Sequence, residues 1–347
     1  MGGDEFIILL EDIAHPEDAA RIAEGIIADL SKPFQLIQSD GVRIGVSIGI
    51  SLYPQHGDSP EILMNSADAA LYQAKDRGRG CFAYFSEELT LAARERIALE
   101  ARLRQAIDQQ ELRVFYQPQI DIASGQIVGA EALVRWQNPT EGLIFPEQFI
   151  PIAEETDLII AIGTWVLRET CRQGRQWLDE GGPALTLSVN VSPHQFRRQD
   201  INALVAKVLS ETGYPAEYLA LEITESGLME NQDKAMGILN DLRVQGIRLV
   251  IDDFGTGYSS LAYLKYFPLD VLKIDKKFID DIPFLQGDME ITATIIAMAH
   301  TLGFKVSAEG VETHEQLAFL QAKGCDSYQG YLSGQALSAD AFAKLLH

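Results

Sequence analysis

From Leu112 onward, short apolar runs alternate with longer stretches in which apolar residues have helical spacing. An apolar run of strand length followed by a helical pattern is typical of a strand–helix unit. The predicted strands are 113–120, 128–134, 185–191, 219–224, 248–252, 271–274, 305–308 and 326–330. The predicted helices are 158–180, 201–212, 234–245, 290–302 and 314–322. Eight strands interleaved with helices favour a TIM-like (β/α)8 barrel, and a doubly wound α/β sheet is the alternative.

Residues 1–85 have the pattern of a separate, partial α/β domain. Its predicted elements are a strand at 6–10, a helix at 15–30, a strand within 42–52 and a helix from 59 to 76. A charged segment rich in Ala, Arg and Glu follows at 86–110, and we interpret it as a linker helix. The second domain is predicted over 95–347.

The composition limits the classes of partner. Acidic residues outnumber basic ones by 50 to 28, and this formal charge of −22 argues against binding of long nucleic acids. No apolar run reaches the roughly 18 residues of a membrane helix, so we expect no membrane contact from this chain. Cys81, Cys171 and Cys325 form no closely spaced pair, which favours a reducing, cytoplasmic setting. The chain opens as if inside a domain, so an upstream sensory or membrane-tethered part of the natural protein stays open.

Polar side chains stand at the carboxyl ends of the predicted strands. They are Glu131, Asn190, Glu222, Asp252, Asp253, Lys273, Glu309, Glu312 and Gln329. Strand ends meet at one mouth of a barrel, where crowded carboxylates raise one another's pKa unless a cation joins them. Oxygen ligands without His or Cys favour Mg²⁺ or Mn²⁺. The adjacent Asp252 and Asp253 suggest two metals bridged by Asp252, an arrangement that suits phosphate-ester hydrolysis.

Each of these side chains also has a purely structural interpretation. A single glutamate at a strand end is commonly solvated, an Asp-Asp pair commonly caps a helix, and Lys273 is as compatible with a salt bridge as with holding a water. These interpretations weaken because the residues fall at the same end of consecutive strands. The glycine-containing segment 253–260 lacks the Gly-Lys-Ser/Thr ending of a P-loop, so we interpret it as a hinged loop beside the metals, after the fifth or sixth strand. The pattern predicts a metal-dependent barrel hydrolase.

The second domain resembles the EAL domain, the cyclic di-GMP phosphodiesterase family, over about residues 95–345. The matching motifs are Tyr116-Gln117-Pro118, Glu131-Ala132-Leu133-Val134-Arg135-Trp136, Asn190, Glu222-Ile223-Thr224-Glu225, Asp252-Asp253-Phe254-Gly255-Thr256-Gly257-Tyr258-Ser259-Ser260-Leu261, Lys273-Ile274-Asp275, Glu309-Gly310-Val311-Glu312 and Gln329-Gly330-Tyr331. Eight motifs in the family's order are far more than chance supplies. The resemblance also implies a barrel in which one strand is antiparallel to the rest.

The resemblance implies a role for each matching residue. The implied ligands are Glu131, Asn190, Glu222 and Asp252 for the first Mg²⁺ or Mn²⁺, and Asp252 and Asp253 for the second. The implied catalytic residues are Glu131, Lys273 (which positions or helps activate the water), Glu309 (which assists the second metal through water) and Glu225 (which holds the loop that starts at Asp253). The implied substrate contacts are Gln117, Leu133, Arg135 (paired with a phosphate) and Gln329 (close to the reaction centre).

Residues 1–85 resemble the C-terminal half of a GGDEF domain, of the diguanylate cyclase family. The matching segments are Gly2-Gly3-Asp4-Glu5-Phe6, Val46-Ser47-Ile48-Gly49-Ile50 and 67–75. The family implies that the glycine pair approaches the nucleotide and that Asp4 or Glu5 assists metal binding. The half before the signature is missing from the sequence, so we expect that this chain does not make cyclic di-GMP. For a longer parent protein, cyclase activity stays open.

The resulting prediction is metal-dependent hydrolysis of cyclic di-GMP to linear pGpG, which controls the level of a bacterial second messenger. The alternatives are a non-catalytic receptor for cyclic di-GMP and a barrel hydrolase of another phosphodiester. The complete ligand set and Glu225 argue against the receptor, and the predicted substrate contacts argue against the other hydrolase. The resemblance further implies a homodimer formed through the EAL domain.

Overall fold

The computed structural model describes residues 5–32, 44–229, 231–255 and 264–346, and these fall into two compact units, Met1–Leu103 and Arg104–His347. The described elements of the first unit are α1 (Pro16–Leu30), β1 (Ile48–Ile50), α2 (Pro60–Asp76), β2 (Phe82–Tyr84) and most of α3 (Glu87–Asp108), within which the unit boundary falls. β1 and β2 are parallel. Ser59 begins α2 by accepting a hydrogen bond from the backbone N–H of Ile62, and Pro60 follows at the first helical position. The predicted helices of this block are confirmed.

The predicted strand at 6–10 is wrong. The segment has no strand structure, and the four side chains from Phe6 to Leu9 are between 60% and 88% exposed. A strand needs a neighbour that satisfies its backbone groups, and in the described part of this unit β1 and β2 pair with each other. The predicted strand within 42–52 is confirmed only as the short β1, and Val42 lies outside the described residues. Gly2, Gly3 and Asp4 of the signature lie outside them as well.

The second unit is a closed eight-stranded barrel. Its strands are β3 (Leu112–Asp121), β4 (Ile127–Asn138), β6 (Thr186–Val191), β7 (Leu219–Thr224), β8 (Arg248–Phe254), β9 (Val271–Ile274), β10 (Lys305–Ala308) and β11 (Ser327–Tyr328). Each strand pairs with the next one, and β11 returns to β3, which closes the circle. The short β5 (Gly142–Ile144) extends β4 as a hairpin, and β12 (Leu337–Ser338) lies beside β3. The predicted barrel is confirmed, and the doubly wound alternative is wrong.

Helices connect the parallel strands on the outside of the barrel, since a parallel pair needs a long crossover. They are α4 (Pro146–Glu155), α5 (Leu158–Asp179), α6 (Pro193–Arg198), α7 (Ile201–Thr212), α8 (Glu225–Met229), α9 (Gln232–Val244), α10 (Gln286–Thr301) and α11 (His314–Lys323). A further helix, α12 (Ala339–Ala343), follows β12. α7 shows why such a segment is helical: Asp200 caps the N–H of Ala203, and Gly213 ends the helix at a φ of 67°. Among the described residues, no helix is long and apolar enough to cross a bilayer.

β3 runs antiparallel to β4 and β11, whereas the other seven barrel strands run parallel to one another. Leu112 at the start of β3 faces Trp136 near the end of β4, so the chain enters the barrel at the mouth formed by the strand carboxyl ends. Glu111 fixes this entry point, because its carbonyl accepts the N–H of Gln137 and its carboxylate accepts the indole N–H of Trp136 at 2.8 Å. The single antiparallel strand implied by the resemblance is therefore β3.

Candidate active site

Strand register places two pairs of the predicted site residues side by side. Gln117 on β3 lies directly opposite Glu131 on β4, and Asn190 on β6 lies beside Glu222 on β7. The hydrogen bond from Asn190 Nδ2 to Glu131 Oε1, at 2.7 Å, joins the two pairs.

Lys273 is the centre of the site. Its ammonium lies 3.2 Å from Glu131 Oε2, 2.6 Å from Glu222 Oε2, 3.4 Å from Asp252 Oδ1 and 2.5 Å from Glu309 Oε1. The lysine is 1% exposed, and the four carboxylates come from four different strands or their ends. A buried charge needs such compensation, so the cation and the carboxylates require one another.

The electrostatics of the cluster follow from burial and crowding. Burial alone lowers the pKa of Lys273, but the surrounding carboxylates outweigh it and hold that pKa well above its ordinary value. Burial and the neighbouring Glu131 raise the pKa of Glu222 well above the usual range. Burial also raises the pKa of Glu309 to about 8, against the attraction of Lys273. The cluster therefore holds more negative charge than one ammonium can neutralise.

Glu131 differs from the other carboxylates because hydrogen-bond donors surround it. Asn190 Nδ2 donates to its Oε1 at 2.7 Å, and Gln329 Nε2 donates to its Oε2 at 2.7 Å. Burial raises the pKa of Glu131, but Lys273, Asn190 and Gln329 overcome burial, and the net pKa is lower than usual. Because Asn190 Nδ2 is directed at Glu131, its Oδ1 is the amide atom that can bind a cation.

Asp252, Asp253 and Glu309 could hold a metal ion, since one oxygen of each lies within 4.8 Å of the others. Asp253 has a φ of 53°, a left-handed conformation uncommon outside glycine, which lets two consecutive carboxylates serve one site. Burial, Asp252 and Asp275 raise the pKa of Asp253 to about 6. Among the described residues, no hydrogen-bond donor reaches the buried Glu222 Oε1, and a bound cation would satisfy this oxygen. This all-oxygen set fits Mg²⁺ or Mn²⁺.

Glu225, the first residue of α8, reaches the loop after β8. Its Oε2 accepts the backbone N–H of Gly255 at 3.0 Å, and the side chain is 1% exposed. β8 is the fifth strand of the barrel, so the predicted glycine-containing loop begins there. The rest of that loop, 256–263, lies outside the described residues.

The predicted substrate residues line one wall of the mouth. Leu133 and Arg135 follow Glu131 on the same face of β4, and Leu133 lies opposite Phe115 of β3. The guanidinium of Arg135 lies over the rings of Phe115, at 5.9 Å, and Phe145, at 5.3 Å. Two aromatic rings thus hold this cation above the carboxylates.

Two participants were missed by the sequence analysis. Asp275 contacts Asp253, and Gln119 hydrogen-bonds to Gln329. For Gln119 a signal was present, because it lies two positions after Gln117 on one strand and must share its face.

Comparison with known proteins decides the family. Residues 100–336 match the family described as EAL domain. The chain belongs to the EAL domain family. Residues 1–81 match the diguanylate cyclase GGDEF domain.

This EAL chain is 44% identical over 340 residues to the bifunctional diguanylate cyclase/cyclic di-GMP phosphodiesterase MucR of Pseudomonas aeruginosa, covering 98% of the chain and 49% of MucR. It is 42% identical over 346 residues to the cyclic di-GMP phosphodiesterase NbdA of the same organism, covering 99% of the chain and 44% of NbdA. The chain thus spans about half the length of the curated relatives it matches. A solved structure described as "PaMucR Phosphodiesterase, c-di-GMP complex" is similar with a TM-score of 0.69 and 44% identity, over 71% of this chain and 99% of that one.

Proposed function

We propose that the chain is a divalent-metal-dependent phosphodiesterase that hydrolyses cyclic di-GMP to linear pGpG. The observation that carries the proposal is the oxygen cage around Lys273, in a chain whose relatives MucR and NbdA are named as cyclic di-GMP phosphodiesterases. Five carboxylates against one ammonium leave four uncompensated negative charges when all are ionised, and two divalent cations carry that charge.

The proposed ligands of the two Mg²⁺ or Mn²⁺ ions are Glu131, Asn190, Glu222, Asp252 and Asp253, with Glu309 assisting through water. When bound, the metals polarise the phosphate and lower the pKa of a water.

The protein's own groups bind and orient the substrate and the water. Arg135 pairs with the phosphate, and Gln117 and Leu133 contact the rest of the nucleotide. Lys273 Nζ lies at the centre of the carboxylate cage, and its proposed role is to position or help activate the attacking water. Gln329 holds the Glu131 carboxylate in place. Water adds to phosphorus, one ring P–O bond breaks, and the leaving oxygen takes up a proton.

The test is incubation of the purified chain with cyclic di-GMP and Mg²⁺ or Mn²⁺, with and without EDTA, followed by chromatography. We expect the wild-type chain to form pGpG and EDTA to abolish this product. The Glu131→Ala variant should form none. Glu217→Ala is the matched control, since Glu217 is an exposed carboxylate before β7, at the end of the barrel away from the mouth. Binding without product would replace the proposal by the receptor function, and full activity of Glu131→Ala would refute the mechanism.

We also propose the domain organisation that the sequence predicts: a partial GGDEF domain over 1–85, a linker helix over 86–110 and an EAL domain over 95–347. A homodimer through the EAL domain is part of this proposal, and sedimentation of the purified chain tests it. The three free cysteines support a reducing, cytoplasmic setting.

A further inference from the structure

A chain of three glutamine amides runs along the inner wall of the barrel to Glu131. Gln329 Nε2 donates to Glu131 Oε2 at 2.7 Å and to Gln117 Oε1 at 2.9 Å. Gln117 Nε2 in turn donates to the carbonyl of Gly334 at 3.1 Å. At the other end, Gln119 Nε2 donates to Gln329 Oε1 at 3.2 Å.

The chemistry of a primary amide fixes the direction of this chain. An amide has two N–H bonds on one side and one acceptor oxygen on the other, and Gln329 uses both of its N–H bonds toward Gln117 and Glu131. An ionised carboxylate accepts only, so the reversed amide would place an oxygen against Glu131. The correct orientation therefore leaves Gln329 Oε1 in need of a donor, and Gln119 supplies it.

The backbone makes room for this donor. Gly129 lies directly opposite Gln119 in the β3–β4 register. A Cβ at Gly129 would lie 2.8 Å from Gln119 Oε1 and 2.6 Å from the carbonyl oxygen of Thr186. A glycine at this point lets the Gln119 amide lie close over β4 and reach Gln329.

We propose that Gln119 is a positioning residue, which fixes the amide orientation of Gln329 and through it the Glu131 carboxylate that binds the metal. Gln119 need not touch metal or substrate to act in this way. The inference rests on the proposed function in one respect, namely that Glu131 is a metal ligand.

The test compares two variants of Gln119 that keep its length. Gln119→Glu places an acceptor against Gln329 Oε1 and therefore favours the reversed orientation of the Gln329 amide. Gln119→Met removes the donor but favours neither orientation of that amide. Gln126→Glu is the matched control, because Gln126 is exposed on the turn between β3 and β4 and the charge change is the same. Mn²⁺ binding to the full chain is measured by calorimetry and by electron paramagnetic resonance, together with melting temperature and steady-state kinetics.

We expect Gln119→Glu to bind Mn²⁺ at least ~10-fold more weakly than wild type, Gln119→Met to lie between them, and Gln126→Glu to match wild type. At saturating Mn²⁺, kcat should recover toward the wild-type value while the KM for cyclic di-GMP changes little, a pattern that general loss of structure does not produce.

The inference is overturned if Gln119→Glu binds Mn²⁺ within twofold of Gln126→Glu, or if both Gln119 variants lose Mn²⁺ binding only in proportion to a lower melting temperature. It is also overturned if the wild-type chain binds no Mn²⁺. A wild type that binds Mn²⁺ but does not hydrolyse cyclic di-GMP refutes the proposed function alone, because the binding comparison among the variants still decides the role of Gln119.

Discussion

Replacing Lys273 by methionine removes the cation and keeps most of the buried volume. Lys273 is 1% exposed, and the nearest oxygens of four carboxylates lie 2.5–3.4 Å from its ammonium. Removing one partner of a buried ion pair costs roughly 3–5 kcal/mol, since the remaining charge stays buried without compensation. For a unit of this size, that corresponds to a melting temperature lower by roughly 6–20 °C.

The loss should depend on pH and on metal. Without the ammonium, the pKa values of Glu222 and Glu309, which are already raised, rise further. Because these pKa values are raised, more of the two carboxyls is protonated at pH 5.5 than at pH 8.5, and the repulsion among them is smaller. The free energy of unfolding should therefore fall less at pH 5.5. Mn²⁺ takes over the role of the missing cation, so added Mn²⁺ should restore much of the stability at pH 8.5.

Calorimetric unfolding in EDTA at both pH values, and again with Mn²⁺, measures these effects. Lys207→Met is the control, because Lys207 forms an exposed ion pair with Glu211 at 3.9 Å, which contributes no more than about 1 kcal/mol. A Lys273→Met variant that loses less than ~1 kcal/mol at pH 8.5 in EDTA, or an equal amount at both pH values, would refute this reasoning.

Three further predictions follow from the site. Burial raises the pKa of Glu309 to about 8 and that of Asp253 to about 6, so Mn²⁺ binding should release protons, and calorimetry should find it at least ~10-fold weaker at pH 6 than at pH 8. Equal affinities at the two pH values would contradict this. Glu225→Gln weakens the charge-assisted hydrogen bond to the Gly255 N–H, so steady-state assays should show kcat at least ~10-fold lower with KM changed less, and an unchanged kcat would exclude a role for this contact. Gly330→Ala places a Cβ 2.2–2.8 Å from backbone atoms of Val311, so urea denaturation should show a free energy of unfolding lower by about 2 kcal/mol or more. A decrease below ~0.5 kcal/mol would contradict this clash.

The interior strands of the barrel were predictable because each is a short apolar run bounded by polar residues. The predicted strands at 219–224 and 271–274 agree with β7 and β9 at both ends. β4 instead continues to Asn138, well past the predicted end at 134, because its polar tail pairs with β5 rather than ending at the mouth. Local hydrophobicity carries no information on such pairing. The reversed direction of β3 could not be derived either, because alternation with period two is identical in both strand directions.

The sequence predicted most of the polar groups that meet around Lys273 but not how they are arranged. Glu312, predicted to join them, is instead exposed and accepts a hydrogen bond from Lys276 at 2.6 Å. Strand ends give the height of Glu131 and Glu222 in the barrel, and they leave the position of Lys273 among the carboxylates undetermined. The alternating pattern places Gln119 on the same face of β3 as Gln117, but only the closed barrel shows its amide facing Gln329. The proposed roles of these side chains stay predictions until the variants are measured.

The backward first strand matters for anyone who builds fusions with this barrel. In an all-parallel barrel the N-terminal attachment point lies on the floor, remote from the chemistry. Here the chain joins the barrel at Leu112, on the reactive face, with Glu111 bonded to Trp136 and Gln137 beside it. A tag or reporter inserted directly ahead of Leu112 therefore lies at the mouth, whereas one inserted in the turn between β3 and β4, at Gly125, lies at the opposite end of the barrel.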